Sequence, residues 1–386
     1  MSMSPSPVLF SSHLLLLFVM VVLLINVLLY LSSRAYRRKL VLAGVGVKHM
    51  LLSKDRKYTK KTLTPSSLSH RKHLVFIRHG ESEWNVVFNP KKRPDDKFAL
   101  YPHMLLWRFL KALLVELVSV ATHASLALDS PLSQRGIAQA EQLAKYIESP
   151  EICLNPEGEH DDYARFLLRG VLARDENAPT STVACSNLRR CMLTALVALR
   201  SRICPTGHAS KPRNASKAHV TTDLQEMSRN VDCVAMALEP ASLPPSLGRN
   251  LKPQMLTAKN ASQLHQPGPL EQYFDASECR GMKTLRSNGR LRMEAFARWA
   301  MKCDEEVVIA VGHSLYFREF FNLFTRESDR DDKNSLIARA CESKMANCSM
   351  VGFELAYDEV MGSFQVMLST LRVLDGGFES ARKKSK

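Results

Sequence analysis

Apolar positions fall into three kinds of block along this chain. One is a long run: Leu14 to Leu31 is eighteen residues with one clearly polar member, Asn26. Taken back to Leu9 or Phe10, it reaches the roughly 20 residues that a bilayer-spanning helix requires. The second kind is short and strand-like: His73–Ile77, Ser181–Cys185, Val307–Val311, and the closing pair Met350–Leu355 and Ser363–Leu371. Val307–Val311 is apolar at all five positions and mostly β-branched, which predicts a central strand buried on both faces. The third kind has helical spacing. In Ser133–Ile147 the residues Ile137, Ala140, Leu143 and Ile147 share a face, and Ser133 is placed as an N-cap. Leu188–Leu199, Leu285–Ala300 and Leu315–Phe324 read as further helices. Strand followed by helix, repeated, predicts an α/β three-layer sandwich with a mostly parallel central sheet over residues 71–375.

Residues outside that pattern divide the chain. Residues 1–33 are expected to form an N-terminal transmembrane anchor. No charged side chain precedes the apolar run, and Arg34, Arg37, Arg38 and Lys39 follow it. The positive-inside tendency then places the downstream domain in the cytosol, on a single-pass membrane protein. Residues 34–70 read as a basic juxtamembrane linker, and 376–386 as a basic tail. Three stretches interrupt the α/β pattern as insertions, at 86–128, 151–179 and 240–269. Within the first, Met104–Ala121 is strongly apolar but carries Arg108, Lys111 and Glu116 on one side of a helix. Such a helix suits peripheral membrane contact or a roof over a site; the plainer expectation is an inserted helix packed on the domain.

The formal charge of +15 raises the question of nucleic acid. The basic residues are scattered in short clusters, however, and do not alternate with aromatics as a single-strand binder requires. An anionic substrate or an anionic membrane surface fits this balance, and nucleic acid does not. Nine cysteines occur singly, with no Cys-x-x-Cys pair. Neither a zinc site nor a disulfide framework is indicated. Sequons at Asn214, Asn260 and Asn347 matter only if the domain is lumenal.

The candidate chemistry lies at strand ends. Arg78-His79-Gly80-Glu81, with Asn85 beyond, follows the apolar strand His73–Ile77, and Gly312-His313-Ser314 follows Val307–Val311. A neutral imidazole is a competent nucleophile near pH 7, and glycine lets backbone approach an anion without a Cβ. Two such histidines with arginines nearby suit phosphoryl transfer, one attacking phosphorus while cations hold the oxygens. Between the histidines lie Asp129-Ser130-Pro131-Leu132-Ser133-Gln134-Arg135-Gly136, Ser186-Asn187-Leu188-Arg189-Arg190-Cys191 and Leu224-Gln225-Glu226.

In content and order these motifs resemble the histidine phosphatase superfamily, which includes the cofactor-dependent phosphoglycerate mutases. The resemblance spans roughly residues 73 to 325 and implies a phosphoglycerate mutase-like fold. It implies His79 as the nucleophile that becomes phosphohistidine, His313 as transition-state stabiliser and phosphate ligand, and Arg78 and Arg190 as phosphate ligands. Glu226 is the implied proton donor, with Gly80, Asn85 and Gly312 in support. Cys191 stands where the family usually has alanine, and Arg189 is the variable neighbour. No metal and no cofactor are implied. The expected activity is phosphomonoester hydrolysis of the histidine acid phosphatase-like kind, on a phosphorylated anionic substrate.

Three alternatives stand beside it. Mutase-type phosphoryl transfer is weakened because Met227-Ser228-Arg229-Asn230-Val231-Asp232 does not match the Arg-His-Tyr-Gly segment usual in mutases. A tethered, catalytically inactive phosphate-binding module would not need both nucleophile and acid. A serine hydrolase using Ser314 would need a histidine downstream, and none follows His313.

Overall fold

The computed structural model describes residues 7–59, 69–88, 102–149, 161–172, 178–203, 216–248 and 269–379. Among them, seven strands form one sheet: β1 (His70–Arg78), β2 (Ser181–Ser186), β3 (Ala218–Thr221), β4 (Phe274–Asp275), β5 (Val307–Gly312), β6 (Met350–Asp358) and β7 (Ser363–Asp375). Their order is β4-β3-β2-β5-β1-β6-β7. The first five run parallel, and β6 and β7 close one side antiparallel.

Successive side chains of a strand point to opposite faces, and both faces here are apolar. Val75, Ile77, Val183, Val307, Ile309 and Val311 enter one core layer. That layer is covered by α5 (Gln134–Glu148), α6 (Asp162–Leu172) and α7 (Arg189–Ala198), with the short α8 (Arg200–Ile203) after it. Leu74, Phe76, Ala184, Val308 and Ala310 enter the other, under α9 (Gly289–Lys302), α10 (Ser314–Leu323) and α11 (Leu336–Glu342). The chain is therefore an α/β sandwich with a mixed, mostly parallel sheet. Ser133 caps α5, its Oγ accepting from Gly136 N at 3.0 Å.

The N-terminal third departs from expectation. Helix α1 (Pro7–Ser32) is followed at Ser33 by α2 (Arg34–Leu52). No single helix among the described residues is long and apolar enough to cross a membrane. Val19–Ser32 and α2, bent by 108°, pass that test only as a pair. The single spanning helix expected over 1–33 is thus corrected to a bent apolar pair, a hint of membrane association and no more. The linker expected over 34–70 is helical through Leu52; residues 60–68 lie outside the described residues.

Helix α2 docks on the domain. Leu42 is buried, and Gly46 faces Val231 and Val234 so closely that a Cβ there would stand 3.1 Å from Val231 Cγ1. Beyond α2, Asp55 is fully buried between Lys283 (2.9 Å) and Arg292 (2.6 Å). Burial alone would raise its pKa, but the two cations outweigh that and hold it below the ordinary carboxylate value. Lys283 also donates to the carbonyls of Glu226 and Ser228, and Arg292 to that of Gln225.

Two further helices occupy the first insertion, α3 (Glu83–Phe88) and α4 (Pro102–Val118); residues 89–101 lie outside the described residues. So do 151–160 and 173–177 of the second insertion, 249–268 of the third, 380–386 of the tail, and the sequons at Asn214 and Asn260.

Replacing Asp55 by Ala leaves two buried cations uncompensated, an effect of about 3–5 kcal/mol. Chemical denaturation of the full chain in detergent is expected to show that loss at pH 7. Because the folded carboxyl titrates low, wild type keeps the advantage above about pH 4 and loses it as pH falls through the lower folded pKa. An unchanged midpoint would count against the pairing.

Candidate active site

Strand register assembles the site. In the parallel pairing of β1 with β5, Ile77 lies opposite Val311 and Arg78 opposite Gly312. On the other side of β5, Cys185 of β2 also pairs with Val311. Three strands therefore end level, at Arg78, Gly312 and Ser186, and His79 and His313 emerge together just beyond them at the carboxyl edge of the sheet, where α/β sheets bind ligands. The two imidazole centroids are 5.1 Å apart, nearly edge to face.

His79 is held as a neutral ring with a defined tautomer. Its Nδ1 lies 2.6 Å from the carbonyl of Gly80. That oxygen can only accept, so the proton sits on Nδ1 and Nε2 carries a lone pair. Nε2 receives a hydrogen bond from Arg190 Nε at 3.3 Å. Burial first, then the charges of Arg190 and Arg78, push the pKa well below the ordinary histidine value. His313 is fully buried behind it, with Nε2 2.9 Å from Ser186 Oγ and 3.3 Å from Cys191 Sγ. Burial, then Arg190 and His79, lower its pKa as well.

Arg190 stands at the centre of the charges. Its Nη1 donates to the carbonyl of Asp232 at 2.8 Å, and Nη2 is 3.5 Å from that carboxylate. Burial disfavours the guanidinium, but Asp232 and other nearby acidic groups more than offset it and raise the pKa. Arg78 is buried, pairs with Glu379 at 2.8 Å and leaves Nε without a hydrogen-bond partner. Arg189 is tied to the carbonyls of Ser125, Leu128 and Asp129, a purely structural post away from the histidines. Glu226 is buried, accepts from Met227 N at 2.7 Å, and has its pKa raised by burial against the pull of Arg190.

A cavity of about 240 Å³ opens onto Arg78, His79, Asn85, Arg190 and Glu226. His313 is outside its wall. Gly80 and Gly312 serve packing: a Cβ on Gly80 would collide with the Gly136 carbonyl, and one on Gly312 would meet the Phe317 ring at 2.7 Å. Gly80 lies in close contact with the start of α5. Sequence reasoning missed Arg56, Asp232, Arg318 and Lys344, which also line the cavity. Arg318 stands four residues after Ser314 on one helix, a spacing that puts both on one face; the other three carry no comparable signal. Ser314 lines the cavity, but the hydroxyl beside His313 Nε2 is that of Ser186, so the serine hydrolase arrangement is not formed. Among the described residues, no group of three or more His, Cys, Asp or Glu is placed to hold a metal ion.

No family model matches the chain, and no curated protein matches it. Solved structures give faint likenesses. An alpha-ribazole phosphatase from Shigella flexneri has a TM-score of 0.31 at 13% identity, covering 80% of this chain and 99% of its own. A phosphoserine phosphatase variant from Entamoeba histolytica, in complex with phosphoserine, has a TM-score of 0.30 at 12% identity, covering 80% and 96%. A mycobacterial glucosyl-3-phosphoglycerate phosphatase has a TM-score of 0.32 at 15% identity, covering 78% and 98%. Likeness at this level carries no argument for family or activity. The expected assignment to the histidine phosphatase superfamily is corrected accordingly, since the short motifs stand without a matching family model or relative. With it fall the phosphoglycerate mutase-like designation of the fold, the mutase alternative and the histidine acid phosphatase-like label, and no phosphohistidine route is carried over from a family.

Arg56, Arg78, Arg190, Arg318 and Lys344 all line the cavity. A guanidinium meets phosphate oxygens as a planar fork, which lysine cannot reproduce. Titration of the full chain with inorganic orthophosphate is expected to give a Kd about 10- to 100-fold weaker for Arg190→Lys, the loss of a charged hydrogen bond or two. Equal affinity would remove Arg190 from the anion site.

Proposed function

We propose that this cavity hydrolyses phosphomonoesters. The observation that carries the reading is the Nε2 lone pair of His79, kept unprotonated in a cavity whose wall includes Arg56, Arg78, Arg190, Arg318 and Lys344. Cations at that density hold phosphate oxygens, and a neutral imidazole among them can attack phosphorus once Nε2 gives up the hydrogen bond from Arg190 Nε. His79 is the proposed nucleophile and Glu226 the proposed proton donor. Arg78 and Arg190 hold the phosphate, with Asn85 beside them in the wall. His313, buried behind His79, orients that ring and withholds a second protonated group from the cavity.

As His79 Nε2 bonds to phosphorus the ester bond breaks and Glu226 gives its proton to the departing alcohol oxygen, and the Nε2–phosphorus bond breaks in turn when water attacks. Water supplies the oxygen that finally joins phosphorus, and its proton returns to Glu226. A carboxylate-first reading has one observation in its favour: Asp232 shares the cavity and stands beside Arg190. The substrate is a phosphorylated small molecule. The apolar N-terminus, with Arg34, Arg37 and Arg38 just beyond it, supports a membrane-held protein whose domain lies on the cytosolic side.

Hydrolysis of p-nitrophenyl phosphate by the full chain in detergent is expected to vanish in His79→Ala. In wild type the acid limb follows protonation of His79, and lies below the ordinary histidine pKa. The alkaline limb follows ionisation of Glu226, above the ordinary carboxyl value. Glu226→Gln is expected to lower kcat about 10²- to 10⁴-fold and abolish the alkaline limb. Quenching turnover of labelled substrate with SDS at neutral pH locates the phosphoryl group. Base-stable, acid-labile label supports His79, whereas label released by hydroxylamine transfers the role to a carboxylate.

A further inference from the structure

Helix α4 is built inside out. Two of its charged side chains, Arg108 and Glu116, are half-buried while Lys111 is exposed; Glu116 Oε1 accepts from Ser125 Oγ at 2.8 Å and Ala127 N at 2.9 Å, and its other oxygen lies 3.7 Å from Lys39. Arg108 and Lys111 line a cavity of about 680 Å³ beneath the helix. Most of its large apolar side chains face outward, with Met104, Leu105 and Val115 half-buried. Leu106, Phe109, Leu110, Leu113, Leu114, Leu117 and Val118 are all exposed, Leu117 at 68% and Val118 at 74%. They recur at the three- and four-residue spacing of a single helical face. A domain helix packed for water has the opposite arrangement.

What covers that face is indicated by its neighbour. Along α1, Val19 to Ile25 are exposed and apolar at every position, all round the helix. A protein groove covers one stripe of a helix, whereas a hydrocarbon phase covers the whole circumference. The elbow after α1 is fastened to the end of α4, with Ser33 Oγ donating to Ala121 O at 3.2 Å and Lys39 Nζ to Ser119 O at 2.7 Å. The two apolar surfaces therefore leave the domain at one place, and the occupant both accept is a lipid bilayer.

An apolar path joins that surface to the catalytic cavity. Trp84 lines the catalytic cavity and also a small apolar one of about 130 Å³, which it shares with Phe88, Phe109 and Leu113. The rings run in sequence, Trp84 to Phe88 at 4.1 Å and Phe88 to Phe109 at 6.4 Å, from the cavity mouth to α4. Resting on the phosphomonoesterase reading above, the geometry points to a membrane lipid phosphate as substrate. Its phosphate enters the cationic cavity, its chain lies along Trp84, Phe88 and Phe109, and α4 lies in the bilayer surface. The reaction is the hydrolysis already balanced, with a lipid alcohol as the departing group.

The test uses the full chain reconstituted in phosphatidylcholine vesicles, with three substrates: dioleoyl phosphatidic acid in the same bilayer, glycerol 3-phosphate, and p-nitrophenyl phosphate. The lipid is expected to be cleaved with kcat/KM at least about tenfold above glycerol 3-phosphate, because remote apolar contact contributes to catalysis. The variant Leu110→Gln/Leu114→Gln/Leu117→Gln alters only exposed side chains that line none of these cavities. It is expected to keep p-nitrophenyl phosphate turnover while losing most of the lipid turnover, although α1 still anchors it. Equal use of lipid and glycerol 3-phosphate, or full lipid turnover by the variant, overturns the inference and leaves the phosphomonoesterase reading standing. No turnover of any of the three overturns both.

Discussion

Everything chemical in this molecule depends on one alignment, the parallel register of β1, β5 and β2. Backbone hydrogen bonding puts Arg78 opposite Gly312, so the residues that follow must leave the sheet side by side. His79 N then donates to Gly312 O at 3.0 Å, carrying the ladder one step past the strand. A slip of one residue would send every side chain of a strand to the opposite face. Here it would bury Arg78 and Gly312 in the wrong layers and separate the imidazoles. Both faces of the sheet are packed, so the hydrophobic core itself prevents that slip. Site geometry is a consequence of core burial rather than an addition to it.

The second constraint is electrostatic. Several cations and two buried histidines share a small volume, and the histidines yield by staying neutral. That choice costs stability in acid: their folded pKa values lie below the unfolded ones, so the unfolded chain binds protons first as pH falls below about 6.5. The carboxyls answer in two ways. Asp55, held between two cations, stays ionised, while burial pushes Glu226 toward its protonated form despite Arg190. Environment alone separates them, so one carboxyl is a structural counter-ion and the other is poised to give up a proton.

Much of this was legible in the amino-acid sequence, and the reasons are physical. Val307–Val311 declared a central strand because no polar side chain interrupts it, and β5 has these bounds to within one residue. Ser133 declared a helix start because its oxygen can satisfy an orphan amide, and it does so. Strands at the sheet margins were not legible: β3 and β4 are four and two residues long, too short for any period to develop. Arg190 could be chosen over Arg189 only by aligning on Leu188, since two adjacent arginines have the same chemistry and differ only in the direction that α7 gives them. Helix α2 was hidden for another reason. Its basic residues read as linker, yet Lys39 is buried, its ammonium satisfied by Ser119 O. Nor does a sequence reveal that His313 lies behind His79 and outside the cavity wall.

Helix α2 also changes what the N-terminus means. A flexible tether would leave the domain free to move against the apolar segment, but α2 is held at both ends. At one end Ser33 and Lys39 bind the close of α4; at the other the chain runs into Asp55, buried against Lys283 and Arg292. Those two cations hold the carbonyls of Gln225, Glu226 and Ser228. The backbone that carries Glu226 is thus tied, through one buried carboxylate, to the helix that leads into the apolar N-terminus. Ion pairs this buried have no water to substitute for a lost partner, so they resist sliding in a way that exposed pairs do not. The apolar segment and the cavity are therefore linked through α2, and a surface that holds α1 and α4 bears on the direction in which the cavity opens.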